Sequence, residues 1–244
     1  YGMVFFDQRG GGHSHGKRVS NLNEEQFVED VEVIVDLIKA EYPQAQNLFL
    51  MGHSWGGYLG TGFLRTGDNQ LDFKGWISLA GVHNFPMNWM VSRDFSMAYA
   101  QEQIDANNNK STWEELLTAL ENTSEVTNLE ELRTINWIAF QVAKDLNAGK
   151  SEFDNPSWLY TLSAPTGAGF SQLNIPEVED IIVNGDQSPF MSSITIPSLL
   201  IHGGEDPLAV VPLGQAAYDL LGTPEEDKSL LTILWIPADN ATPL

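Results

Sequence analysis

One segment constrains this chain more than any other. In Leu48-Phe-Leu-Met-Gly52-His-Ser54-Trp-Gly56-Gly57 a short apolar run enters Gly-x-Ser-x-Gly, and a helical stretch, Tyr58 to Leu64, leaves it. A strand, a sharp turn and a helix must therefore follow one another within a few residues. The turn is tight, and small residues are expected at Gly52 and Gly56 because a Cβ there would meet the neighbouring strand or helix. This geometry lifts the Ser54 hydroxyl clear of the backbone. It also sets the Trp55 N–H at a helix N-terminus, where it can stabilise an oxyanion. A chance Gly/Ser turn explains less, because it needs neither the strand before, the helix after, nor the additional Gly57.

A strand feeding a helix belongs to an α/β layer architecture, and the length permits one. The 244 residues and 27.0 kDa suffice for one full α/β core, or a core with a small subdomain. The net charge of −21, from 12 basic and 33 acidic residues, argues against nucleic acid and anionic membranes as partners. Solubility accounts for most of that charge. An acidic pocket that attracts a cationic substrate is the functional version, since the stretch from about residue 85 to 190 carries much of the acid. Cysteine is absent, which excludes disulfides, thiolate catalysis and zinc–thiolate sites and leaves the redox compartment open. No apolar run reaches the ~18 residues of a membrane span. A soluble protein, with a slight preference for the cytoplasm, is expected. The chain opens inside an apolar run, Tyr1-Gly-Met-Val-Phe-Phe6, so the expectation is that an upstream segment, and any signal within it, is missing.

Along the chain, Met3-Val-Phe-Phe-Asp7 reads as a buried strand that ends in a glycine-rich loop, Gln8 to Gly16. Asn23-Glu-Glu-Gln26 has a capping-box pattern, and the following helix carries Phe27, Val31, Ile34, Val35 and Ile38 on one face. Strands are predicted at Asn47 to Met51, Lys74 to Ala80, Pro197 to His202 and Leu230 to Ile236, with a helix at Gly214 to Leu221. This alternation predicts a mostly parallel, doubly wound sheet. Residues 85–190 break it. Helical stretches at Met97–Ala106, Thr112–Leu120, Leu129–Leu132 and Asn136–Leu146 predict a helical insertion, with Pro156, Pro165 and Pro176 in loops on its return path. The expected division is a core of residues 1–84 and 191–244 with a helical cap of residues 85–190 inserted.

Three motifs in order carry a resemblance: Val-Phe-Phe-Asp-Gln-Arg-Gly-Gly-Gly-His-Ser14, Gly-His-Ser54-Trp-Gly-Gly57, and Ile196-Pro-Ser-Leu-Leu-Ile-His-Gly-Gly-Glu-Asp206. Together they resemble the α/β-hydrolase superfamily over nearly the whole chain. The tetrad Asp7-Gln8-Arg9-Gly10 beside Gly-x-Ser-Trp-Gly-Gly is most similar to the prolyl aminopeptidase (proline iminopeptidase) branch. The resemblance implies that Ser54 is the nucleophile, that the Trp55 backbone N–H is one oxyanion donor, that Asp206 is the triad acid, and that the insertion is the cap over the pocket. Two departures stand out. The upstream loop that supplies the family's other oxyanion N–H precedes the equivalent of Tyr1. The triad histidine is due after the last strand, where the tail reads Pro237-Ala-Asp-Asn-Ala241-Thr-Pro-Leu244. Aligning Thr-Pro puts Ala241 at the histidine position, and a slip of one residue puts Asn240 there.

The chemistry needs that base, because a serine hydroxyl is a poor nucleophile until imidazole takes its proton. Asp206 lies in Gly203-Gly-Glu-Asp-Pro207 just past a buried strand; a plain turn Asp before Pro is the alternative, and Glu205 is the other candidate acid. Among the histidines, His53 is expected to point away from the cleft and to pack. His202 reads as structural, and His13 and His15 as parts of a solvated loop rather than a metal pair. His83 lies where a strand meets the insertion and is the one substitute base to weigh. Asp7 and Arg9 read as loop anchors, through the guanidinium fork, rather than as catalytic groups. Trp113, Trp137 and Trp158 read as cap core. Neither cofactor nor metal is expected.

The expectation is therefore a serine hydrolase acting on an amide or ester through an acyl-enzyme on Ser54, with a small peptide or ester as substrate. An N-terminal-residue peptidase comes first and a carboxylesterase second. Epoxide hydrolases and haloalkane dehalogenases of this fold are disfavoured, since they resemble it with Asp at the nucleophile. The alternatives are a non-catalytic binding protein of the same fold, or a fragment or altered form of an active enzyme.

Overall fold

The computed structural model describes residues 2–9, 14–15, 23–123, 126–146 and 176–233, side chains at 129 and 176–179 excepted. The first helix begins where the sequence caps it. Asn23 Oδ1 accepts a hydrogen bond from Gln26 N at 2.8 Å, opening α1 (Glu24–Glu41). Only half of the expected capping box forms, because the Gln26 amide donates instead to Glu29 and Asp30 one turn on. The apolar face of α1 buries Phe27, Val28, Val31 and Val35.

Among the described residues four parallel strands follow: β1 (Phe49–His53), β2 (Gly75–Leu79), β3 (Ser198–Gly203) and β4 (Lys228–Ile233). They pair in the order β1-β2-β3-β4, with Gly52 opposite Ser78, Leu79 opposite Ile201 and Gly203 opposite Ile233. Parallel neighbours need a crossover, and helices supply each one. Helix α2 (Trp55–Leu64) joins β1 to β2, and α7 (Val211–Leu220) joins β3 to β4. Between β2 and β3 come α3 (Phe85–Asp105), α4 (Lys110–Glu121), α5 (Leu129–Leu146) and α6 (Pro176–Asn184). Helix α2 is apolar on every side and buried from Gly57 to Leu64, so it is the centre of the main core. A smaller cluster of Ala100, Trp113 and Val142 joins α3, α4 and α5. Trp113 is thus core as expected, whereas Trp137 is 48% exposed. No helix among the described residues is long and apolar enough to cross a membrane.

Several boundaries differ from the expectation. Residues 3–7 are not a buried strand. They take irregular backbone, and Met3, Val4, Phe5 and Phe6 are exposed, because no described strand offers them a ladder. Helix α3 starts well before Met97. Asn84 Oδ1 accepts from Met87 N at 2.8 Å, and Pro86 sits at the first turn, where its missing N–H costs nothing. The two short helices predicted at 129–132 and 136–146 are one. The β-branched Thr134-Ile135 does not break α5, because Leu132, Ile135 and Ile138 are fully buried and packing outweighs propensity. The prolines at 156 and 165, Trp158, His13 and residues 234–236 of the last predicted strand lie outside the described residues.

Candidate active site

Ser54 occupies the single residue between β1 and α2, with φ 53° and ψ −116°. For a serine this is strained backbone, at a cost of about 1–3 kcal/mol. The surrounding bonds hold it there. Ser54 N donates to Leu79 O at 3.0 Å, while Ser54 O accepts from Gly57 N at 2.8 Å and from Val82 N at 3.2 Å. The turn is therefore stitched both to its own helix and to the loop after β2. Two glycines make the close approach possible. A Cβ on Gly52 would stand 2.2 Å from Gly56 O, and one on Gly57 would stand 2.5 Å from the Gly81 Cα. Gly56 is not constrained in this way: a Cβ there meets nothing within 4 Å, because it points outward from the first turn. The space requirement thus falls on Gly52 and Gly57 rather than on Gly52 and Gly56. The sequence reading also missed Ala80, whose φ of 46° bends the chain so that Gly81 docks against Gly57.

The Trp55 N–H opens α2 and has no intrahelical acceptor, so it is one of the free donors at the positive end of the helix. The indole stacks on Tyr58 at 5.8 Å between ring centroids and lies 5.6 Å from Phe85 at the start of α3.

Because the strands are parallel, their carboxyl ends share one edge of the sheet. Ser54 follows β1 and Asp206 follows β3 on that edge. Asp206 Oδ1 accepts from Leu208 N at 2.8 Å and Ala209 N at 3.1 Å, which fixes the half-buried carboxylate. Glu205, the other candidate acid, is exposed.

The histidines separate cleanly. His83 is buried, with Nδ1 3.0 Å from Thr61 Oγ1 and Nε2 2.9 Å from Ser78 Oγ. Burial pulls its pKa down to about 3, and nearby His202 adds to the effect. Both ring nitrogens are engaged away from Ser54, so His83 does not serve as the substitute base. His202 is buried at the end of β3, its pKa lowered by burial against the opposing pull of the Ala209 carbonyl and Asp206. His53 is exposed rather than packed, on the same strand face as Phe49 and Met51. His15 is exposed too. No histidine among the described residues hydrogen-bonds Ser54, and Ala241 and Asn240 lie outside the described residues. Arg9 does anchor its loop, but to Asp30 of α1: Nε donates to Oδ2 at 3.0 Å and a second nitrogen of the fork to Oδ1. Among the described residues no three His, Asp or Glu side chains gather as metal ligands.

Comparison with known proteins agrees with this fold. The sequence model of the family described as serine aminopeptidase, S33 matches residues 1–134, more than half of the chain. Among solved structures, Est816, described as an N-acyl homoserine lactone degrading enzyme, is 16% identical and superposes with a TM-score of 0.55, covering 93% of this chain and 72% of its own. The esterase EaEST from Exiguobacterium antarcticum is 15% identical, with a TM-score of 0.52 over 93% of this chain and 70% of its own. The esterase RhEst1 from Rhodococcus sp. ECU1013 is 16% identical, with a TM-score of 0.52 and the same coverage, 93% and 70%. At these identities the likeness establishes the fold. No curated protein matches the chain.

Proposed function

The chain belongs to the serine aminopeptidase S33 family and has the α/β-hydrolase fold; from that premise we propose that it cleaves ester or amide bonds through an acyl-enzyme on Ser54. The observation that carries this is the strained Ser54 between β1 and α2, with an unpaired helix N–H beside it. An attacking hydroxyl there develops its oxyanion next to the Trp55 N–H, in the field of the α2 N-terminus. Asp206, on the same edge of the sheet with one carboxylate oxygen already bonded to backbone, is the acid of the triad. It would orient a base and stabilise its cationic form. The base is the member that the described residues do not supply, and the position matching it in sequence is Ala241.

Small esters are the first substrate class, because an ester has the better leaving group and makes the least demand on a weakly activated serine. The second reading is an N-terminal-residue peptidase of the prolyl aminopeptidase type. It is favoured by the serine aminopeptidase family match and by the acidic stretch 85–190, whose carboxylates suit a substrate ammonium group. In both readings that stretch is the cap over Ser54.

The test is kcat/KM on an activated ester and on aminoacyl amides. The chain as it stands is expected to turn over barely above background, since losing one triad member costs several orders of magnitude. Ser54→Ala should remove what remains. Ala241→His should raise the rate by about 10² or more. Full activity in the unmodified chain would show that another residue is the base.

A further inference from the structure

Asp206 does not hold its position alone. Residues 207–209 run behind it, and their three successive carbonyls each meet a buried side chain. Pro207 O accepts from Ser92 Oγ, Leu208 O accepts from Asn88 Nδ2 at 2.9 Å, and Ala209 O lies 3.2 Å from His202 Nδ1. A carbonyl oxygen can only accept, so the proton of His202 is on Nδ1. The amides of Leu208 and Ala209 point the other way, onto Asp206 Oδ1. The short loop is therefore gripped on one side by buried donors, and on the other it grips the carboxylate.

Asn88 and Ser92 are one turn apart on α3, the first helix of the insertion, and both are fully buried. Packing does not require a polar residue at either place. Among the described residues Asn88 Oδ1 has no hydrogen-bond partner, and an unsatisfied buried acceptor is destabilising. An apolar side chain of similar size would fill the space without that cost. What the amide supplies, and an apolar group would not, is the bond to Leu208 O.

We propose that Asn88 and Ser92 are positioning residues: with His202 they clamp the 207–209 backbone so that its amides set the Asp206 carboxylate at the edge of the sheet. The clamp rests on the reading of Asp206 as the triad acid, and it ties that acid to the inserted helices. A displacement of α3 moves the acid with it.

Two measurements test this on the whole chain. The first is amide hydrogen exchange at Leu208 and Ala209. In Ser92→Ala and Asn88→Ala both amides should exchange about tenfold faster, as expected for one lost buried hydrogen bond, while α1 is unchanged. Unaltered exchange at 208 and 209, or an equal rise in α1, overturns the clamp. If Asn88→Ala does not fold, Ser92→Ala, which removes one hydroxyl, carries the test. The second is the rate at which an activated fluorophosphonate labels Ser54 in an Ala241→His background, which supplies the base through which Asp206 acts. Ser92→Ala should slow labelling about fivefold when Asp206 is present and not at all in an Asp206→Asn background. Equal slowing in both backgrounds means that Ser92 acts on the fold rather than through Asp206, and overturns the proposal. If Asp206→Asn alone leaves labelling unchanged, the assignment of the acid fails, and the exchange rates still decide the clamp.

Discussion

Gly56 and Gly57 are adjacent and identical in sequence, yet the structure assigns them opposite tolerances. A methyl on Gly57 would press into the Gly81 backbone, and neither side is a flexible side chain that can give way. Gly57→Ala should therefore cost about 1–3 kcal/mol and disturb the turn at Ser54. Gly56 faces open space inside a helix at ordinary φ, so Gly56→Ala should be neutral or stabilising by up to about 1 kcal/mol. Urea unfolding of the two variants checks the contrast. The motif marked both glycines but not this difference, because the direction of a missing Cβ depends on where the next strand and loop pack. The same is true of His83, whose place beside a strand end suggested a cleft and whose neighbours turned out to be two hydroxyls. Its pKa, about 3 when folded, lies below the ordinary 6.5. Below about pH 6.5 the unfolded chain therefore binds a proton that the folded one refuses, and stability is lost as the pH falls towards 3. The slope from this residue is about 1.4 kcal/mol per pH unit. Acid also relieves the repulsion of a chain with net charge −21, which opposes the trend. The comparison to make is the urea midpoint from pH 7.5 to 5 in wild type and His83→Asn. The wild type should lose more stability than the variant; parallel profiles would contradict the buried neutral imidazole.

At the scale of elements, helix α2 was legible because its capless, glycine-rich start and continuous apolar run allow little else. Strands β1 to β3 were legible to within a few residues for the same reason. The apolar run at residues 3–7 was misread because hydrophobicity marks what can be buried, while burial also needs a neighbour. What no sequence pattern announced is the tie between α1, α2 and the 3-10 turn Ser188–Ser193. Arg65, just past α2, donates through Nε to Gln187 Oε1 at 2.9 Å and pairs with Glu24 at the start of α1. Gln187 Nε2 closes the ring to Glu24 Oε2 at 2.9 Å, and Phe190 lies 4.1 Å beneath the guanidinium. Glu24 and Gln187 are far apart in sequence, so local spacing carries no trace of the contact. Gln187 is buried and the other two are half-buried, so Arg65→Ala leaves the Gln187 carbonyl and one Glu24 oxygen without the guanidinium. The expected loss is about 2 kcal/mol, read as a lower urea midpoint with an unchanged slope. A smaller loss in the Glu24→Gln, Arg65→Ala double variant than the sum of the singles would confirm the coupling.

For the molecule as a whole, the parallel sheet does the work that function requires. It brings residues 54 and 206, separated by helices α3 to α6, to one edge. The order of the motifs made that juxtaposition readable before any coordinates, because parallel strands end on the same side whatever lies between them. The clamp from α3 was not readable, since Asn88 and Ser92 look like ordinary polar positions of a surface helix until burial is known. The account stands or falls on Ser54 as the group that takes the acyl or phosphonyl unit. The most direct measurement is prolonged incubation of the Ala241→His chain with an activated fluorophosphonate, followed by intact mass and peptide mapping. The account predicts a single adduct on the peptide that contains Ser54, absent from Ser54→Ala. No adduct, or one that persists in Ser54→Ala, would contradict it.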